Sequence, residues 1–271
     1  MPSQLQKCEQ FAALHQQEGA FVIPNPWDAG SARLLQGLGF KALATTSAGF
    51  AFTAAKTDGQ VSLEEKLQHC RVIAAATDVP VNVDFENGFA DEPQQVYDNV
   101  LKVAATGVAG CSIEDYSRDS HSLYDVGYAT ERLQAAAEAV ATLNMPFQLT
   151  ARAENFLRGV NDIDDTIKRL QAYEAAGANV LYAPGLKSLD DLQRVTQALN
   201  KPFNVLAVFF RGVTVDEFAA AGAKRISVGG ALAWACVKPL LDAGKEMLEQ
   251  GSFAWTKNLA SGADIKRLLT S

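Results

Sequence analysis

Eight short apolar runs, rich in Val, Ile, Leu and Phe, recur along the chain and alternate with longer segments of helical periodicity. A short apolar run bounded by turn residues predicts a buried strand, and its alternation with helices is typical of βα units around a parallel sheet. The predicted strands span residues 21–25, 42–47, 81–86, 110–115, 147–154, 180–184, 203–208 and 225–229.

Two local signals mark the helix boundaries between these runs. Serine or threonine followed three residues later by an acid has the spacing of a capping box at a helix start. A glycine between a helical segment and the next run favours the left-handed turn that ends a helix. The boxes are Ser62 with Glu65, Ser188 with Asp191 and Thr214 with Glu217, and the glycines are Gly39, Gly107, Gly177 and Gly222.

Eight strands, each followed by a helix, favour an α/β fold of the (β/α)8 TIM-barrel type. An open doubly wound sheet usually carries Gly-x-Gly-x-x-Gly after its first strand, and the sequence Asn25-Pro26-Trp27-Asp28 differs from that motif. No linker-like tract interrupts the 271 residues. We therefore predict a single barrel domain over residues 1–271, including a C-terminal helical extension.

The formal net charge of −7 is spread along the chain without a basic block, which argues against binding to nucleic acid or to anionic membranes. No apolar run approaches the ~20 residues of a membrane helix. The first residues lack the layout of a secretory signal, so we expect a soluble cytoplasmic protein. Cys8, Cys70, Cys111 and Cys236 lie far apart and mostly at apolar-periodic positions, which predicts buried, reduced thiols.

Acidic residues follow several of the predicted strands, at the barrel end where active sites of this fold lie. Asp84 and Glu86 are two apart on one strand and so face the same side, and Glu114 ends the next strand. Converging carboxylates repel one another unless a cation lies among them, and all-oxygen ligands favour Mg²⁺. The alternative is that these acids merely cap strand ends and face solvent.

Arg152 ends the fifth predicted strand, where its guanidinium could bind a substrate carboxylate through two hydrogen bonds. An internal salt bridge to Glu114 or Glu154 is the alternative, because buried arginines are usually paired. The turn at residues 45–49 offers backbone N–H groups and hydroxyls suited to a carboxylate or an oxyanion.

Residues 116–128 form a long polar segment that is a candidate lid over the site. His121 within this segment is a candidate catalytic residue, with a solvated loop histidine as the alternative. Gly229 and Gly230 precede a helix, which suggests a tight turn or a phosphate-binding loop. No lysine ends a predicted strand, which argues against a Schiff-base aldolase.

These residues together resemble the isocitrate lyase and phosphoenolpyruvate mutase superfamily over nearly the whole chain, in particular the branch similar to 2-methylisocitrate lyase and oxaloacetate decarboxylase. The matching segments are residues 24–32, 39–43, 46–49, 84–89, 113–115, 151–154 and 225–230.

The resemblance implies a Mg²⁺ ion, or Mn²⁺ in its place, that binds a pyruvate-like group. The implied metal positions are Asp58, Asp84, Glu86 and Glu114; the implied substrate ligands are Thr46, Ser47, Ala48 and Arg152; and the candidate catalytic residues are Arg152, Glu114 and His121. The superfamily also builds homodimers and homotetramers by exchanging a C-terminal helix, which implies that role for residues 231–250 or the tail beyond them.

Two departures from the superfamily narrow the reaction. The segment 117–125 lacks the lid cysteine of isocitrate and methylisocitrate lyases, and residues 183–186 lack the polar phosphonate ligands of phosphonopyruvate enzymes. We expect a Mg²⁺-dependent lyase or decarboxylase that cleaves a C–C bond in a small 2-oxo or 2-hydroxy dicarboxylic acid through a pyruvate-like enolate. The alternatives are a phosphonopyruvate hydrolase or mutase and a 2-oxo acid-binding protein without turnover.

Overall fold

A sheet of eight parallel strands forms the centre of the protein in a computed structural model that describes residues 2–270. The order of its strands is β1-β10-β9-β8-β7-β4-β3-β2, and the Ala44 N–H donates to the Pro24 carbonyl at 3.0 Å, which links β2 to the end of β1. These strands are β1 (Phe21–Ile23), β2 (Leu43–Ala44), β3 (Val81–Asp84), β4 (Gly110–Glu114), β7 (Gln148–Arg152), β8 (Val180–Tyr182), β9 (Phe203–Leu206) and β10 (Arg225–Ser227). The sheet is a nearly closed barrel, so the predicted fold is confirmed.

Helices follow the strands around the barrel in regular alternation, as βα units require. They are α1 (Gln4–Leu14), α2 (Ala29–Gly37), α3 (Ser47–Thr53), α4 (Leu63–Ala76), α5 (Pro93–Ala104), α6 (Val126–Ala141), α7 (Ile163–Ala175), α8 (Leu189–Gln197), α9 (Val215–Ala220), α10 (Ala231–Gln250) and α11 (Gly262–Thr270), with short 3-10 helices at Asn155–Arg158, Ala207–Phe209 and Ala254–Asn258.

The predicted helix boundaries are present as hydrogen bonds. Ser62 and Thr214 each form a reciprocal capping box with the acid three residues later, and Ser188 accepts from the backbone N–H of Asp191. The four predicted helix-ending glycines all have positive φ, between 88° and 105°. The local signals therefore fixed where α4, α8 and α9 begin.

The predicted lid is partly regular structure. Residues Tyr116–Ser117 (β5) and Ser122–Leu123 (β6) form an antiparallel hairpin, and α6 already begins at Val126. Tyr124 is buried, and its backbone N–H donates to the Asp115 carbonyl at 2.9 Å. The exposed tip is therefore limited to a few residues that include His121.

Three of the four cysteines are buried as predicted, and burial raises the pKa of Cys8 to about 11 and that of Cys70 to about 12. The prediction is wrong for Cys236, which is exposed on α10. Cys236 does follow the apolar period of α10. However, only Ala233 and Ala243 of this helix are buried, so its apolar period does not indicate burial within the described chain.

Helix α10 is long and poorly packed. Among its 20 residues only Ala233 and Ala243 are buried, whereas Leu240 is 66% exposed and Leu248 is 90% exposed. None of the helices within residues 2–270 combines the length and the apolar character needed to cross a bilayer.

Candidate active site

A cavity of about 170 Å³, which we call the main cavity, opens among the carboxyl ends of the barrel strands and continues into the barrel interior. It brings together six of the predicted site residues, namely Thr46, Ser47, Ala48, Asp58, Asp84 and Arg152. Glu86 and Glu114, which are both buried, do not line this cavity and lie behind it. His121 is exposed and also lies outside it.

The side chain of Arg152 lies between the main cavity and the acids behind it. Its Nη1 atom lies 3.4 Å from an oxygen of Asp84 and 3.4 Å from an oxygen of Glu114, and its Nε donates to Glu154. The internal salt bridge considered from the sequence is therefore present, and Arg152 also faces the cavity. Its guanidinium lies 5.4 Å from the centre of the Tyr182 ring, which covers one side of it.

Three further cations lie among the acids, and sequence analysis did not place any of them there. Arg118, at the lid tip, has Nε 3.0 Å from Glu86 and Nη2 3.8 Å from Glu114. Arg158, in the 3-10 helix after β7, has Nη2 3.0 Å from a carboxylate oxygen of Glu154. The protein itself thus supplies much of the positive charge that the acids need, so repulsion among them does not by itself require a metal.

The third cation is Lys66, which enters from α4 with a fully buried ammonium group 3.7 Å from Glu86. The sequence held a signal for it, because Lys66 falls in the same helical stripe as Leu63, Cys70 and Ile73. A lysine in an apolar stripe must find a buried partner or reach solvent. Arg118 and Arg158 carried a weaker signal, namely a spacing of four residues from Glu114 and Glu154.

The surroundings of the acids favour different protonation states. Burial raises the pKa of Glu114 to about 8 against the opposing charge of Arg152. Burial also raises the pKa of Glu86, although Lys66 opposes it. Burial would raise the pKa of Asp84 as well, but Arg152 and Lys66 together hold it below its ordinary value. Asp84 is therefore ionised at neutral pH, whereas Glu114 and Glu86 hold protons more readily.

The turn after β2, which pairs with β3, supports Asp84 through direct hydrogen bonds. The Ser47 backbone N–H donates to an Asp84 oxygen at 3.0 Å, and the Asp84 N–H donates to the Thr45 hydroxyl at 3.0 Å. Thr46 caps α3 by accepting from the Gly49 N–H. Because Ser47 already donates to Asp84, its N–H is not free for a substrate carboxylate while that bond persists.

A second cavity, of about 440 Å³, lies under the lid tip and contains His121. Asp58 lines both cavities and so lies between His121 and Arg152. The lid also contacts the Asp58 loop through Arg118, because a Cβ atom added at Gly59 would lie 1.9 Å from Arg118 Nη1. In this arrangement the lid tip covers the acids.

The acid cluster has the oxygen chemistry that suits a hard divalent cation. One oxygen of Glu86 and one of Glu114 are buried without a hydrogen-bond donor, so both can accept from metal-bound water. Within residues 2–270 no three acidic, histidine or cysteine side chains converge on one point. The residues therefore fit an ion with one or two direct carboxylate ligands that reaches the other acids through water, which is usual for Mg²⁺.

Other segments near the site differ in whether they face the main cavity. Residues 183–186, after β8, are buried and uncharged. Phe210 packs against Phe218, with ring centres 5.2 Å apart, and Arg211 is exposed, so neither lines the main cavity. Gly229 and Gly230 do line it. No lysine lines the main cavity among the described residues.

Comparison with known proteins places this site in a family. The family model of phosphoenolpyruvate phosphomutase matches residues 11–248. An uncharacterized protein of Mycobacterium tuberculosis is 31% identical over 220 residues, which cover 81% of each chain. An oxaloacetate decarboxylase of Pseudomonas entomophila is 28% identical over 225 residues, covering 80% of this chain and 76% of that one.

Solved structures agree with this placement. A crystal structure of a candidate lyase or mutase from Burkholderia cenocepacia J2315 superposes with a TM-score of 0.95 at 46% identity, covering 99% of this chain and 98% of that one. A phosphonopyruvate hydrolase in complex with oxalate and Mg²⁺ shares the fold, with a TM-score of 0.86 at 20% identity over 97% of this chain and 95% of that one. The chain belongs to the phosphoenolpyruvate phosphomutase family, within the isocitrate lyase and phosphoenolpyruvate mutase superfamily of enzymes.

Proposed function

We propose that this protein is a divalent-metal-dependent lyase or decarboxylase that cleaves a C–C bond in a small 2-oxo or 2-hydroxy dicarboxylic acid. The observation that carries the proposal is the placement of Arg152. Its guanidinium lies 3.4 Å from both Asp84 and Glu114, and it faces a cavity large enough for a small acid.

Mg²⁺, or Mn²⁺ in its place, is the proposed cofactor. Asp84 would hold the ion, with Asp58, Glu86 and Glu114 acting through water. When bound, the metal would supply Lewis acidity at the 2-oxo oxygen of the substrate. The related phosphonopyruvate hydrolase that was solved with oxalate and Mg²⁺ supports this choice by analogy.

Arg152 supplies the charge stabilisation from the protein. In a 2-oxo substrate, the bond that breaks joins the carbon next to the carbonyl to the departing group. Its electron pair forms the double bond of the enolate, and negative charge develops on the 2-oxo oxygen. A guanidinium held in place by Glu154 meets that charge without reorganising during the reaction. The side chain of Arg152 is only 15% exposed, which strengthens this effect because little water surrounds the charge.

The substrate carboxylate is proposed to lie against the turn formed by Thr46, Ser47 and Ala48. This turn leads into α3, and N–H groups at the start of a helix favour anions. The Ser47 N–H would then be shared between Asp84 and the substrate, so substrate binding and metal binding are coupled through Asp84.

The enolate must receive a proton on carbon after the bond breaks. His121 remains our proposed proton carrier, because it lies at the lid tip in the cavity that Asp58 connects to the main site. Glu114, whose pKa is raised to about 8 by burial, is the second candidate. A lid residue is preferred because Glu114 is buried behind Arg152, whereas His121 is exposed and lines a cavity that shares Asp58 with the main cavity.

Carbon chemistry is preferred over phosphonate chemistry because the cations at the lid end of the site are already paired with acids. Arg118 and Arg158, the cations nearest the lid, are both paired with acids. The loop after β8 is buried and uncharged. A phosphonate at the lid end of the site would therefore have to break existing ion pairs in order to bind.

The test is a turnover screen of metal-stripped protein with and without Mg²⁺, against oxaloacetate, 2-methylisocitrate and phosphonopyruvate. We expect metal-dependent release of pyruvate from a carbon acid, reduced about 100-fold or more in Asp84→Asn and Arg152→Lys. His121→Ala tests the proton carrier, and full turnover in that variant would remove His121 from the mechanism. Lys168→Met, on the exposed face of α7, is the control variant.

Two results would replace this proposal with an alternative. Turnover of phosphonopyruvate alone would identify a phosphonopyruvate hydrolase or mutase. Metal-enhanced binding of oxalate without turnover of any of the three acids would identify a 2-oxo acid-binding protein.

A further inference from the structure

A buried arginine without an acidic partner lies inside the barrel beneath the site. Arg225 is the first residue of β10 and is 3% exposed. Its Nε donates to Asn204 at 2.8 Å, its Nη2 donates to Thr150 at 3.0 Å, and its Nη1 lies 3.5 Å from His15 Nε2. All three partners are neutral groups, because burial lowers the pKa of His15 to about 3.

Within residues 2–270 no carboxylate lies within 4.0 Å of the Arg225 guanidinium. Arg152 and Arg169, by contrast, each contact an acid. Arg132 is also buried without an acid, but its guanidinium donates to backbone carbonyls of four residues. Burial lowers the pKa of Arg225 to about 9, so the group still carries its charge at neutral pH. A buried charge without a counter-charge is destabilising, and a bound anion would remove much of that cost.

Arg225 belongs to a polar layer where barrels of this type usually carry branched apolar side chains. Asn82, Ser112 and Thr150 precede Asp84, Glu114 and Arg152 by two residues on the same strands, so each pair faces the same side. Two residues along a strand span about 7 Å. The polar layer therefore lies one step below the acids and Arg152.

The main cavity connects the two layers. Its lining includes Arg225, Asn82 and Asn204 from the lower layer as well as Asp84 and Arg152 from the upper one. The three neutral contacts of Arg225 use one N–H on each nitrogen. Because a guanidinium carries five N–H groups, one remains on each terminal nitrogen, which is the arrangement that binds a carboxylate through two parallel bonds.

We propose that Arg225 binds the far carboxylate of a dicarboxylate substrate, so that the polar layer makes the site selective for diacids over monoacids. The proposal rests on the proposed function for the class of substrate. The ~7 Å step between the layers suits a diacid of four or five carbons better than oxalate. A free inorganic anion has the same chemistry, and the experiment separates it from a substrate carboxylate.

The test is calorimetric binding of succinate and of butanoate, which has the same chain length and one carboxylate fewer, to the Mg²⁺-loaded protein. We expect the wild type to bind succinate at least about tenfold more tightly, and Arg225→Met to lose that preference. Arg225→Lys should keep part of it, because the charge remains. Arg194→Met, at an exposed arginine on α8, should behave as the wild type.

Several outcomes would overturn the proposal. These are equal affinities for the two acids in the wild type, and a succinate preference that persists in Arg225→Met. A chloride-dependent melting temperature that Arg225→Met loses, without any diacid preference, would assign Arg225 to a structural anion instead. If Arg225→Met does not fold, a crystal structure of the wild type soaked in succinate tests the proposal. The proposal requires a succinate carboxylate within 3.5 Å of the Arg225 guanidinium, and its absence there would overturn the proposal.

Binding is measured without turnover, so this proposal and the proposed function fail separately. A succinate preference that depends on Arg225, in a protein that turns over no carbon acid, would contradict only the proposed function. Turnover of a diacid that Arg225→Met leaves unchanged in KM would contradict only the role of Arg225.

Discussion

The ammonium nitrogen of Lys66 lies 3.7 Å from a carboxylate oxygen of Glu86, and neither atom has a hydrogen-bond partner among the described residues. Glu86 also has a φ of 52°, which is unusual for a residue other than glycine. Helix α4 and the turn after β3 are thus held together by a pair of buried charges directly behind the candidate active site.

Lys66→Met should lower the free energy of unfolding by about 3 kcal/mol, because it leaves the buried carboxylate of Glu86 with Arg118 as its nearest cation. Urea unfolding of the metal-free protein measures the effect. Lys168→Met removes an exposed lysine from α7 and should change stability by less than about 0.5 kcal/mol. Equal stability of the two variants would mean that the Lys66 charge contributes little.

Gly59→Ala should displace Arg118 from Glu86, since the new Cβ would lie 1.9 Å from Arg118 Nη1. Gly212→Ala is a matched control, because Gly212 has a similar φ of 80° but no atom within 4 Å of an added Cβ. Both variants should lose about 1 to 2 kcal/mol of stability from backbone strain. Gly59→Ala should lose about 1 kcal/mol more, from the disrupted ion pair, and should also lose turnover.

Measured side by side by chemical unfolding, the two glycine variants share the backbone cost, so their difference reports on the lid contact. The lid contact would be unimportant if both variants had the same stability and the same kcat.

Stability should fall as the pH falls from 6.5 toward 4, in part because of His69. Burial, with Lys66 nearby, lowers the pKa of His69 to about 4 from an ordinary value of 6.5. The folded state then binds fewer protons than the unfolded state, so stability that is present above pH 6.5 is lost across this window. The loss from His69 alone is at most about 3 kcal/mol.

His69→Gln keeps a donor for the Trp27 carbonyl and should flatten the stability profile between pH 4 and 6.5. Urea unfolding at several pH values measures it. His121→Gln removes an exposed histidine and serves as the control. A wild-type profile that His69→Gln leaves unchanged would argue against a neutral buried His69.

Helix α10 should mediate assembly, because several of its apolar side chains, among them Leu240, Leu241 and Leu248, are exposed in the described chain. We expect the wild type to elute as a homodimer or homotetramer of the 29.0 kDa chain in size-exclusion chromatography with light scattering. Leu240→Glu combined with Leu241→Glu should shift it toward the monomer, whereas Lys245→Glu on the same helix should not. A monomeric wild type at micromolar concentration would contradict the predicted helix exchange.

Much of the fold was predictable because its signals are local. The capping box at Ser62 and the glycine turn at Gly177 involve residues a few positions apart, and the period of apolar residues reports which face of an element is covered. Cys236 shows the limit of that argument. Its position in α10 follows an apolar period, but a period cannot say whether the covering surface belongs to the same chain.

The candidate site was predictable only in part. The sequence placed Asp84, Arg152 and the Thr46–Ala48 turn at strand ends, and the structure brings these residues to one cavity. It also indicated converging acids, from which we inferred a cation. The structure adds cations of the protein itself at Arg118 and Lys66, so the charge argument for a metal is weaker than the sequence suggested.

The sequence by itself determined the element order and the helix ends, because these depend on the spacing of residues along the chain. It also determined which side chains stand at the strand ends, because the carboxyl ends of parallel strands lie at one end of the barrel. Only the tertiary structure decided which charges pair with an acid and which do not. Lys66 reaches Glu86 from a helix, and Arg225 meets Thr150 across the barrel without finding a carboxylate. Such contacts depend on the side chains that meet when the barrel closes, and Coulomb energy varies steeply with distances that no spacing in the sequence encodes.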